Sequence, residues 1–189
     1  MKKNTKALLT LLSCAIILLH PSLVHGKKKP AVVAPQPINL EAELMVINGG
    51  NIDYIMDNIA RLKTIANYSF FRGDDAWDVP LIKKLRHKVN SLRDTAHIAK
   101  EKIENFKAEA NMKRVLSSTI LEDVKSSLAK LRERAHNVRK ANMWTNSTVR
   151  NSKNVYADRI KKTVDSLISA VNNIATLLPV EPAEINRSE

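Results

Sequence analysis

The chain reads as all-α: an elongated antiparallel bundle of four helices, or three if the second and third run on as one, with extended N- and C-terminal tails. Three observations predict it. There are only four Gly in 189 residues, too few for a turn-rich β protein or a Gly-rich phosphate-binding fold. Residues 81–178 contain neither Gly nor Pro, and helix is the regular structure that runs that long without punctuation. Apolar residues also recur at alternating steps of three and four. That is a seam of period 3.5, the mark of helices packed at shallow angles.

Each seam marks one helix. The first holds Ile52, Ile55, Ile59, Leu62 and Ala66. Gly49-Gly50 breaks or bends this helix, which begins near Leu40 or at Asn51. Residues 67–80, with Gly73, three Asp and Pro80, form the clearest loop. Pro80 suits a first helical turn and Asp78 its cap. The second seam runs Ile82, Leu85, Val89, Leu92, Ala96, Ala99, Ile103, Phe106, Ala110. The third runs Leu121, Val124, Leu128, Leu131, Ala135, Val138, with Thr119 and Glu122 in capping-box spacing ahead of it. The eleven-residue jump from Ala110 to Leu121 is read as a turn; one unbroken helix over 79–145 is the alternative. The fourth runs Ile160, Val164, Leu167, Val171, Ile174, Leu178 after Asn146-Ser147-Thr148, and Ile168, Ala170, Ala175 and Leu177 widen its apolar stripe. The bundle is thus expected over 40–178. A monomer can bury these seams, and a homo-oligomer that completes the bundle is the alternative.

The remaining segments concern destination. Lys2, Lys3 and Lys6 precede the uncharged run Ala7–Leu19, and small or apolar residues at Val24 and Gly26 suit a cleavage site. That layout is a secretory signal over 1–26, of bacterial style. The rival is Leu11-Leu12-Ser13-Cys14, a lipoprotein-type box, weaker because cutting there leaves Ala15–Leu19 on the product. Residues 27–39 form a Pro/Lys-rich linker and 179–189 a loose tail. Removing 1–26 takes three Lys and no acid, so a formal charge of +12 falls to +9. It also removes the one Cys, and with it thiol chemistry and disulfides. The expected location is periplasmic or extracellular.

Catalytic patterns are few. Glu133-Arg134-Ala135-His136 and Asp94-Thr95-Ala96-His97 echo the Glu-x-x-His spacing of dimetal bundles. With Ala96 and Ala135 on the seams, however, Asp94, His97, Glu133 and His136 face outward. No metal, cofactor or enzymatic activity is expected. The glycosylation triplets at Asn67, Asn146 and Asn186 are read as coincidence.

Two features point to binding. The position flanking every second seam residue is basic throughout: Arg86, Arg93, Lys100 and Lys107 on the second helix, Lys125, Arg132 and Arg139 on the third. The other seam edges carry no matching acidic column. Such a column covers the core rim with methylenes, and it also makes a basic groove of about 30 Å for a polyanion. Lys83 and Lys84 join it through Ile82-Lys83-Lys84-Leu85-Arg86-His87, a heparin-binding type of pattern. The candidates are lipopolysaccharide, anionic lipid or a sulfated glycan; nucleic acid is disfavoured by the scarcity of aromatics for base stacking. The second feature is the loop Phe70-Phe71-Arg72-Gly73-Asp74-Asp75-Ala76-Trp77. Its Arg72-Gly73-Asp74 resembles the integrin-recognition tripeptide of adhesive proteins. That resemblance implies that Arg72 reaches an acidic receptor site and Asp74 completes a receptor metal. The expected function is a non-enzymatic bundle that binds a macromolecular partner, a polyanion along its basic edges. The alternatives are an assembly component of an envelope or secretion machine, paired with a partner protein, or an adhesin acting through Arg72, Gly73 and Asp74.

Overall fold

A computed structural model describes residues 38–71, 79–142 and 147–181. The chain divides after Gln36, and every described residue belongs to the unit Pro37–Glu189. The expected leader and most of the linker lie outside the described residues. So does the Arg72-Gly73-Asp74 loop. The described unit is an all-α helical bundle.

Its helices are α1 (Leu40–Asn48), α2 (Asn51–Phe71), α3 (Val79–Asn111), α4 (Ser118–Arg139) and α5 (Ser147–Leu177). The four long ones form a ring in which α2 packs on α3 and α5, and α4 packs on α3 and α5. The α1 helix packs against α5 and α3. Every residue of the four seams is buried, from Ile52 through Leu178. The 3.5-residue period therefore chose the inward face of each helix. Leu177 is the exception to the widened stripe on α5: it is exposed, while Ala170 is buried. It stands at the C-terminal end of α5.

Gly49-Gly50 splits the first helical stretch into α1 and α2. A side chain at Gly49 would place its Cβ 2.7 Å from the Met45 carbonyl oxygen, and Gly50 adopts φ +74°, a conformation that costs a residue with a Cβ. Asn51 Nδ2 donates to the Val46 carbonyl at 2.7 Å and so closes α1. A turn also separates α3 from α4, so the single long helix is not formed. Lys113 (φ 52°) reverses the chain, and the Glu109 carboxylate accepts from Ser117 N–H at 2.9 Å. The cap differs from the expected one. The α4 helix starts at Ser118, with Ser117 at the N-cap and no side-chain capping bond. Leu116 is drawn fully into the core there, and this fixes the helix start ahead of the Thr119–Glu122 pair. The stretch read as a loose C-terminal tail begins with a pairing: β1 (Leu116–Ser117) and β2 (Val180–Glu181) form a two-residue parallel ladder.

Candidate basic end and cleft

The antiparallel ring brings the C-terminal ends of α2 and α4 beside the N-terminal ends of α3 and α5. Lys88 on α3 donates to the Asn137 carbonyl on α4 at 3.3 Å, and Lys153 on α5 reaches the end of α4. Arg61 on α2 stacks on Tyr156 of α5, 5.9 Å from the ring centre.

Charge is unevenly shared along this bundle. From this end inward, no acid is met until Asp94 on α3, Glu133 on α4 and Asp158 on α5, and α2 has none after Asp57. Within those acid-free stretches stand Arg61 and Lys63 on α2, and Lys83, Lys84, Arg86, Lys88 and Arg93 on α3. Arg134, Arg139 and Lys140 follow at α4, with Arg150 and Lys153 on α5. That makes twelve cations and no carboxylate; the other described residues hold eleven Lys or Arg against fourteen Asp or Glu. The connection 72–78, outside the described residues, carries Arg72 against Asp74, Asp75 and Asp78 in the sequence. Those acids leave the excess at this end large.

The basic columns divide accordingly. Toward the middle and the far end, neighbouring helices supply acids that the single-helix pattern could not show. Lys100 pairs with Asp53 of α2 at 2.8 Å, and Arg132 with Asp165 of α5 at 2.5 Å. Lys107 pairs with Glu104 within α3. Arg93 and Arg139 pair with Asp94 and Asp158. The hydrogen bond and charge of Asp53 raise Lys100 above the usual lysine range. Lys125, Lys83 and Lys84 are exposed, and Arg86 is half-buried. The nine candidate cations therefore do not act as one uncompensated groove. Lys83, Lys84, Arg86, Arg93 and Arg139 share the basic end, while Lys100, Lys107, Lys125 and Arg132 stand among acids. Surface pairs of this kind add little stability, but they cancel charge locally.

The positive field has a reporter. Partial desolvation, joined by Lys140, Lys161, Arg139 and Arg132, lowers the pKa of half-buried His136 below its ordinary value. As the seam register requires, Asp94, His97 and Glu133 are exposed. Among the described residues no group of three or more His, Cys, Asp or Glu could hold a metal ion.

At the corner where α4 ends and α5 begins lies an open cleft of about 530 Å3, lined by Arg139, Lys140, Ala141, Asn142, Arg150, Lys153 and Asn154. Lys153 is the residue that reading along the sequence missed. Its side chain is only 1% exposed. The ammonium donates to the carbonyls of Arg139 at 2.8 Å and Ala141 at 2.6 Å, satisfying acceptors that the end of a helix leaves open. Burial first, and then Lys88, Arg139 and Arg150, push its pKa down to about 8. A signal for it did exist: stepping the α5 seam back from Ile160 lands on Ala157 and then on Lys153. A smaller cleft of about 230 Å3 lies between α2 and α3 at the same end, lined by Lys63, Ala66, Asn67, Arg86, Val89 and Asn90.

No protein family, curated protein or solved structure matches this chain. Among the described residues no helix is long and apolar enough to cross a membrane.

Proposed function

We propose that this chain is an exported, non-enzymatic helical bundle that binds an anionic macromolecule at its basic end. The observation that carries the reading is the excess of cations over acids on the helix ends that meet there. Twelve cations from four helices converge there, while the rest of the bundle balances its charge. Such a concentration raises local anion density and accelerates encounter with a polyanion. The partner class is a sulfated or phosphorylated polymer such as a sulfated glycan or lipopolysaccharide. Export rests on the leader-like 1–26 segment, and the absence of catalysis on the outward register of Asp94, His97 and Glu133.

Heparin is the probe. The protein is expected to be retained on immobilised heparin at low salt and released progressively as salt rises, because screening shortens the reach of surface charge. No retention at low salt, or retention indifferent to salt, overturns the reading. Binding to anionic vesicles without heparin binding would redirect it to a lipid surface.

A second reading is an assembly role, favoured by the opposite end. Ile38, Met45, Met112, Val115, Leu177 and Val180 are large apolar residues left exposed there. A salt-insensitive complex with a defined envelope protein, lost on Met45→Glu and Met112→Glu, would favour it.

A further inference from the structure

We infer that the end opposite the basic one is a contact surface for a second copy of this chain, meeting it across a twofold axis. The inference stands apart from the reading of the basic end. Six of the nine large apolar side chains left exposed among the described residues belong to three segments. Ile38 and Met45 are at α1, Met112 and Val115 between α3 and α4, and Leu177 and Val180 at the end of α5 and just after it. Polar bonds tie these segments together. Lys113 pairs with Glu41 at 3.1 Å, and Asn48 Nδ2 donates to Asn111 Oδ1 at 3.2 Å. Leu116 N–H donates to the Pro179 carbonyl at 2.9 Å, and Asn173 Nδ2 to the Glu43 carboxylate at 2.9 Å. The four seams are already buried inside one copy, so this apolar surplus has no use in the core. Single exposed apolar residues are ordinary, but a cluster of them marks a contact surface.

Charge selects the occupant. Six described charged residues lie within four positions of these apolar side chains. Four are engaged: Glu41 with Lys113, Glu43 with Asn173, and Glu109 with Ser117 N–H. The side chains of the other two, Arg114 and Glu181, are exposed and have no partner among the described residues. One cation and one anion are what a twofold contact needs. Each copy then offers Arg114 to the other's Glu181, and the pair forms twice. Within one copy the two stand out of step, because the β1–β2 register sets Glu181 beside Ser117, three residues past Arg114. A partner of a single charge sign would leave one of them unanswered. Two basic ends cannot meet, since like charges repel. Joining at the apolar end turns both basic ends outward, so one dimer presents two polyanion sites.

The test is sedimentation velocity of the full chain over a concentration series. A monomer–dimer equilibrium is expected, with a dissociation constant on the order of 10 micromolar, as suits a small interface. The double substitution Met45→Glu, Met112→Glu, at exposed positions outside the core, should weaken dimerisation by about tenfold or more. Ile98→Glu, at an exposed apolar residue midway along α3, should leave it unchanged. Arg114→Glu and Glu181→Arg should each weaken it through repulsion between copies. An equimolar mixture of those two variants should dimerise like the parent, because each chain then offers what the other has lost. That recovery requires the pair to form between chains and not within one. A parent chain that stays monomeric up to about 100 micromolar, indifference to the Met45/Met112 pair, or a mixture no better than either variant alone overturns the inference. The Met45→Glu, Met112→Glu chain should still be retained on heparin, so loss of the dimer and loss of polyanion binding are read separately.

Discussion

Lys153 occupies a place in the α5 seam that an apolar residue would normally fill. Removing a charge from water is costly, and here two backbone carbonyls and an adjoining open cleft offset that cost. The cations around it are Lys88 from α3, Arg139 and Lys140 from the end of α4, and Arg150 on α5, with Asp158 tied to Arg139. Its folded pKa of about 8 lies below the 10.5 of a free lysine. Below pH 8 both folded and unfolded chains hold the proton, so the burial cost is fully present. Above pH 8 the folded chain releases it first. The unfolded state then binds more protons, and stability rises with pH until about 10.5. The neutral amine still has N–H groups for both carbonyls. Urea unfolding between pH 7 and pH 10 should therefore show a rise of about 1–3 kcal/mol for the parent chain. In Lys153→Met that rise should be missing. A parent stability that falls across this window would show that Lys153 is not the desolvated group described.

Among the elements, the α1–α2 junction has the most specific local chemistry. Gly50 at φ +74° lets the chain leave α1 and start α2 within two residues. Its carbonyl accepts from Tyr54 N–H at 3.0 Å, the first turn of α2. Open space surrounds a Cβ added there, so the penalty of substitution is conformational and not steric. Gly50→Ala should cost about 1 kcal/mol, and Gly50→Asn less, read as a lower urea midpoint at unchanged slope. The seams follow a different rule. Their inward faces were legible because a period-3.5 stripe has one side to bury, whichever neighbour covers it. The α4 cap was not legible: burial of Leu116 and the Glu109 bond to Ser117 N–H outweigh a capping-box spacing that is only a local preference.

At the scale of the whole molecule, the charge is polar along the bundle. Neighbouring surface charges add over distances near the Debye length, so clustered cations bind an anionic polymer better than the same number scattered among acids. Two charge-matched variants test this. Lys83→Gln, Lys84→Gln and Lys140→Gln remove three charges from the basic end. Lys113→Gln, Lys125→Gln and Lys130→Gln remove three from acid-rich stretches. The first should elute from heparin at clearly lower salt than the parent, and the second close to it. Equal shifts would mean that net charge alone governs binding. Neither set touches the core, since all six side chains are exposed, so both variants should unfold at denaturant concentrations close to the parent's.

The sequence by itself determined the helices, their buried faces and the existence of basic columns, because each is a periodic property of one segment and needs no knowledge of its neighbours. It also held Lys153 in plain register. Only the tertiary structure decided which cations count. Asp53, Asp165 and Asp158 neutralise members of the columns from other helices, and antiparallel folding gathers the acid-free ends of four helices at one tip. Coulomb interactions depend on distance in space, and Lys63 and Arg86 come to line one cleft only when α2 packs on α3.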